Sequence, residues 1–306
     1  YGLHTDWYDA INTAIQDGNP ITNYDGSQTY SYEDLDKNRD GKIDSITVIY
    51  KNTTQNIVIN RSDPLWNYKD YADYVEINLG DGRMLQSQYY VQVINNYSTL
   101  YMANNDQKPI VSLKSPIHEM GHIFGLLDLY NSSGQTPVYF MSAMANAISP
   151  VPQGLSIKEK EALGWTDDST LKTITEPGEY KVKLSGTATG TDDCIGYKAG
   201  IPELNRTLYL EYRNFSTDGS KYDKSEKQLT NSETSNIKSG LVCYLAQPDI
   251  RFPSNLNGKP GNWALEVMGG TQSTKSDAAL GLNDSLQVTD KLKVTVAAIE
   301  GEVLTF

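Results

Sequence analysis

Apolar residues recur at helical spacing near the start of the chain. Trp7, Ala10, Ile11, Ala14 and Ile15 follow an i, i+3, i+4 rhythm, and Gly18 suits a left-handed stop, so residues 5–17 read as an amphipathic helix. The rhythm then shortens to β-branched and aromatic runs. "SITVIY" (45–50), "NIVIN" (56–60), "YVEINL" (74–79) and "QSQYYVQVIN" (86–95) are predicted strands. Helical spacing returns in "SPIHEMGHIFGLLDLY" (115–130), with Ser115 as cap and Pro116 at the first helical position, or with the start at Ser112. Leu126, Leu127 and Leu129 at its end read as core. "LSIKEKEALGW" (155–165) predicts a second helix. Ser156 and Glu159 stand at capping-box spacing, and Gly164 fits the stop.

Beyond about residue 167 the pattern changes. From "TLKTITE" to the terminal "KVTVAAIEGEVLTF", short β-rich runs alternate with Gly, Asp, Asn and Ser. That texture predicts an all-β, sandwich-like domain over 167–306, following an α+β domain over 1–166. The polar stretch 216–239 reads as a long exposed loop, and no internal repeat is visible.

The chain has 306 residues and a formal charge of -12. Nucleic-acid binders usually carry a basic patch, so such a partner is not expected. No run of apolar residues is long enough to predict a membrane span. The first residues lack the charged start, apolar run and cleavage site of a signal peptide. Two cysteines, Cys194 and Cys243, exclude a disulfide framework and a cysteine-based zinc cluster.

Two of the three histidines lie in "HEMGH". Residues four apart on a helix share a face, with Cβ atoms about 5–6 Å apart, so His118 and His122 can offer two imidazole nitrogens to one ion. Glu119, one step round the helix, reaches a water on that ion rather than the ion itself. This is the H-E-x-x-H arrangement of zinc peptidases, in which the glutamate acts as general base. Gly125 can end the helix in a left-handed conformation, letting the chain turn back so that Asp128 arrives as third ligand. The other reading of Asp128 is an ordinary turn residue.

H-x-x-x-H-x-x-G-x-x-D is similar to the metzincin layout, with aspartate where most members have histidine. The resemblance implies a methionine packed beneath the ligands. "YFMSAMANA" (139–147) offers Met144 first and Met141 second. Asn146 stands where many metzincins have a tyrosine, which leaves the oxyanion-stabilising residue unassigned.

"DKNRDGKID" places Asp36, Asn38, Asp40, Gly41 and Asp44 in the order of a calcium loop, with the Lys42 carbonyl as backbone ligand. Thr47 replaces the twelfth-position glutamate and a strand follows, so the loop is not a complete EF-hand. A solvated acidic turn is the alternative.

In order along the chain, "DLDKNRDGKIDSITVIY", "SDPLWNYKDY", "HEMGHIFGLLDLY", "SAMANA" with "GLSIKEKEALGW", and "TLYLEYRNF" with "SGLVCYL" resemble the immune-inhibitor-A-like secreted bacterial metallopeptidases. That resemblance covers about residues 5–250. It implies a secreted or cell-surface endopeptidase acting on proteins or peptides as a monomer. It further implies one zinc on His118, His122 and Asp128, Glu119 as base, and at least one structural calcium on Asp36, Asn38, Asp40, Lys42 and Asp44. Members carry a propeptide and further sheet strands upstream, so an upstream or separate N-terminal segment is expected. The Met-turn here lacks the aromatic–Asp pair before the methionine that marks the family. The competing expectation is a catalytically silent metal-containing module that binds a surface glycan or protein.

Overall fold

The structure is a computed structural model of the chain. It describes residues 13, 17, 21–22, 26–31, 34, 39, 42–50, 68–69, 75–78, 84–93, 100–103, 108–111, 114–145, 154–185, 193–215, 237–248, 251–255, 257–259, 261–271 and 275–306. Strand 56–60, loop residues 216–236, Asp36, Asn38 and Asp40 therefore lie outside the described residues, as does most of helix 5–17. Within that helix the Asp17 N–H donates to the Thr13 carbonyl at 2.9 Å. Among the described residues, strand dominates, and no helix is long and apolar enough to cross a membrane.

The chain divides into two compact units, 1–100 and 101–306. In the first, β1 (Ile21–Thr22) pairs antiparallel with β2 (Thr29–Tyr30). A second sheet contains β3 (Lys42–Tyr50), β4 (Tyr68–Lys69), β5 (Val75–Asn78) and β6 (Met84–Val93). β3 runs parallel to β6, while β4 and β5 run antiparallel to it. Lys42 and Asp44 of the expected calcium loop begin β3.

The second unit holds β7 (Leu100–Ala103) from its second residue onward, paired with β8 (Lys108–Val111), and then helix α1 (Lys114–Ile123). Ser115 falls inside the first turn of α1 rather than at its cap, and Pro116 is the third helical residue rather than the first. Proline is tolerated there because first-turn N–H groups have no intrahelical partner. Helix α2 (Ile157–Ala162) starts with a complete capping box between Ser156 and Glu159.

Strands β9 (Leu171–Thr173), β10 (Lys181–Lys183), β11 (Gly196–Ile201), β12 (Arg206–Arg213), β13 (Gly240–Ala246) and β14 (Leu265–Val267) follow, then β15 (Ser285–Gln287), β16 (Lys293–Thr295), β17 (Ala298–Glu300) and β18 (Val303–Thr305). They form a five-stranded sheet in the order β14-β13-β12-β11-β9, a three-stranded sheet β10-β18-β17 and a pair β15-β16.

Strand residues alternate between faces. On the five-stranded sheet, Leu208, Leu210, Tyr212, Leu241 and Cys243 pack with Val182, Val294 and Leu304 of the smaller sheets. On the opposite face, Tyr209, Val242, Tyr244 and Ala246 share a core with Leu126, Leu129, Met141, Met144 and Ile157. The sheet is thus buried on both sides, which is why "LYLEY" and "LVCYLA" read as nearly continuous apolar runs. The expected division at 166/167 lies inside this unit, because residues on both sides of it build one core. Both cysteines are free thiols, and burial pushes Cys243 up to about 12.

Candidate metal centre

Helix α1 stops in a Schellman motif. Gly125 adopts φ +95°, its N–H donates to the His122 carbonyl at 3.0 Å, and the Leu126 N–H reaches back to the Gly121 carbonyl at 2.9 Å. A residue with a Cβ resists that φ. The stop carries the chain back under its own helix, so the Leu126 carbonyl accepts a hydrogen bond from His122 Nδ1 at 2.9 Å. Leu126 and Leu129 enter the core as expected. Leu127, by contrast, is 37 % exposed, because it falls between them and points the other way.

The return path brings Asp128 to the histidines. His118 Nε2 lies 3.1 Å from Asp128 Oδ1, and His122 Nε2 lies 3.3 Å from the same oxygen. Among the described residues, His118, His122 and Asp128 are the one grouping of His, Cys, Asp or Glu side chains of metal-binding size, with ligand atoms within 4.8 Å of one another. Ligands about 2.0–2.2 Å from a tetrahedral zinc stand about 3.4 Å apart, so the observed spacings suit such an ion.

The tautomers also fit. His118 Nδ1 donates to the Ala143 carbonyl at 2.9 Å, just as His122 Nδ1 donates to Leu126. Occupying Nδ1 in this way turns each Nε2 toward Asp128 and orients its lone pair for a cation. Burial disfavours charge on Asp128, but hydrogen bonds from His118 and His122 outweigh it and hold the carboxyl well below the usual carboxylate range. Burial likewise opposes charge on His122. Its hydrogen bonds to Asp128 and Leu126, with the charges of Asp128 and Glu119, nevertheless raise its pKa. The centre therefore favours positive charge, whether carried by ring protons or by a metal ion.

Glu119 is half-buried on α1, near enough for its charge to act on both His122 and Tyr130. Met144 is fully buried directly beneath the helix. A Cβ on Gly121 would sit 2.3 Å from Met144 Sδ, so a larger residue there requires the thioether to move. Met141 is also fully buried, one turn of chain earlier.

Tyr130 was not singled out by sequence reasoning. Its ring stacks on His118 at 6.1 Å and 18°, and its hydroxyl reaches Asp128. Burial, then the Asp128 and Glu119 charges, push the phenol upward, so it keeps its proton and remains a donor. Its position two residues after the third ligand was the available signal.

Asn255 was also missed. Its N–H donates to the Asp128 carbonyl at 2.9 Å, and Leu129 donates to the Met144 carbonyl at 2.9 Å. A cavity of about 520 Å³ in the same unit is lined by Lys158, Glu161, Thr207, Tyr209 and Arg251, and by none of the three convergent ligands. Concavity alone does not mark this centre. Asp36, Asn38 and Asp40 are outside the described residues, and the side chains of Lys42 and Asp44 are not described.

Comparison with protein-family models, with curated proteins and with solved structures finds no match to this chain.

Proposed function

We propose that the chain is a zinc-dependent endopeptidase of the secreted, immune-inhibitor-A-like kind, hydrolysing peptide bonds in proteins. The observation that supports it is the convergence of His118 Nε2, His122 Nε2 and Asp128 Oδ1, with both Nδ1 atoms committed to backbone carbonyls. Zinc bound there would supply a Lewis acid and an activated water for attack on a carbonyl. His118 and His122 would hold the zinc through Nε2, and Asp128 would complete the set with a carboxylate that stays ionised. Glu119, next to His118 on the helix, takes a proton from the attacking water and passes it to the leaving amine nitrogen. Tyr130 donates a hydrogen bond toward Asp128 and covers one face of the His118 ring. The acidic loop over Asp36–Asp44 is read, on its sequence, as a calcium site that braces the start of β3.

Metal analysis and cleavage of a denatured protein test this. One zinc per chain is expected. Glu119→Gln should keep the zinc and lose roughly 10²-fold or more of the activity. No bound zinc, or full activity in Glu119→Gln, overturns the assignment. Zinc without cleavage by the unaltered chain points to the silent binding module. A calcium-specific chelator should lower the melting temperature, and an unchanged value counts against the loop.

A further inference from the structure

The face of the five-stranded sheet that turns toward the ligand loops carries a buried polar cluster. Arg213 and Glu211 on β12 and Tyr244 on β13 are all but fully buried. An Arg213 N–H donates to the Met141 carbonyl. A second donates to the Tyr244 hydroxyl at 3.2 Å, which in turn donates to Glu211 Oε1 at 2.6 Å. Met141 opens the tight turn 141–145. Ser142 Oγ fixes that turn from the other side, donating to the buried Glu159 carboxylate at 2.7 Å and accepting the Met144 N–H at 2.9 Å. Next in the turn is Ala143, whose carbonyl orients His118 at 2.9 Å. A single residue, Ser142, therefore separates the Arg213 contact from the residue whose oxygen orients a metal ligand.

A second anchor serves the other side of the centre. Asn255 is fully buried. Its side chain donates to the Leu129 carbonyl at 3.2 Å and the Leu265 carbonyl at 2.8 Å, and accepts from the N–H groups of Ala264 at 2.8 Å and Leu265 at 3.2 Å. With its own N–H on the Asp128 carbonyl, Asn255 ties the Asp128–Leu129 peptide to β14.

We propose that this sheet is part of the metal centre, with Arg213 and Tyr244 acting as positioning residues for His118, and Asn255 for Asp128. The proposal rests on the zinc reading above and names the groups that hold its geometry. A role in stability alone explains the cluster poorly. Buried ion pairs are often no more stabilising than apolar residues of the same size, and Glu211 Oε2 is buried without a hydrogen bond, 3.7 Å from Lys160 Nζ. Its placement under the one turn that orients His118 is what a positioning role requires. Groups that orient metal ligands typically change metal affinity 10–100-fold when removed.

The test uses the full chain, unaltered and as Arg213→Met, Tyr244→Phe and Asn255→Ala. Zinc affinity is measured by chelator competition, ligand geometry by the visible spectrum of the cobalt(II) form, and stability by the melting temperature of the metal-free protein. The expected result is a zinc affinity lower by about tenfold or more in each variant, with shifted cobalt bands. Folded variants with unaltered affinity and spectrum overturn the proposal, even if their melting temperatures fall. Should Arg213→Met fail to fold, Tyr244→Phe, which removes a single hydroxyl, decides for that anchor. If the unaltered chain binds no zinc, the metal reading itself fails and the positioning roles fall with it.

Discussion

The two faces of the five-stranded sheet are built from the same strands but by different rules. One face presents Leu208, Leu210, Tyr212, Leu241 and Cys243 to the smaller sheets, a nearly dry apolar layer. The other mixes Val242 and Ala246 with Glu211, Arg213 and Tyr244, and with Tyr209, whose hydroxyl donates to Glu161 at 2.7 Å. Apolar burial is non-directional and sets how stable the layer is. Hydrogen bonds are directional and fix where a neighbouring loop must sit. The difference teaches that a strand can hold a unit together with one set of residues and aim a site with the alternate set.

Leu210→Ala probes the apolar face and has the largest expected effect. It opens a cavity at a residue only 1 % exposed and should lower unfolding stability by about 2–5 kcal/mol. Zinc affinity of the folded protein should be unchanged. A loss of affinity matching that of Tyr244→Phe would erase the distinction between the faces. A smaller effect lies at the polar rim. Glu161 is bonded by Lys158 at 2.9 Å, Lys198 at 2.8 Å and Tyr209 at 2.7 Å. Burial opposes its charge, but these bonds outweigh it and lower its pKa to about 2. A carboxyl depressed on folding stabilises fully above its ordinary pKa and loses that contribution as pH falls toward the folded value. Stability should therefore drop between about pH 4.5 and 2. The loss should be on the order of 1–2 kcal/mol after allowing for solvent screening of the partly exposed lysines. Denaturant titrations across that range should show a shallower loss in Glu161→Gln; identical slopes would remove Glu161 from the polar rim's contribution.

What the sequence made legible was local. The capping box at Ser156–Glu159, the stop at Gly164 and the stop at Gly125 each depend on residues within one or two turns, and the structure places all three. The His118, His122 and Asp128 spacing is equally local, since ten residues carry the whole return path. The expected strand and sheet texture after residue 167 follows from short-range alternation, and it is present in β9 to β18. What stayed hidden depends on distant partners. Arg213 meets Met141 across 72 positions, and Asn255 meets Leu129 across 126. Nothing in "EYRNF" signals that its arginine is buried rather than solvated, because charged strand residues usually face water. Leu127 misled for the opposite reason. Three leucines in four positions look like core, but a chain turning through a loop buries only those on its inner side. The same long-range packing hid the shared core of 101–166 and 167–306, which a change of texture at 167 presents as a boundary.

The contact between Gly121 and Met144 carries a lesson for inheritance. In H-E-x-x-H the two middle letters count as free, yet the second of them here is occupied from outside by a sulfur 23 positions downstream. A side chain at 121 and the thioether at 144 compete for the same space. A descendant with alanine or serine at 121 is viable only if residue 144 shrinks or swings aside, and pairs that break this coupling should be missing from any functional library randomised at both positions.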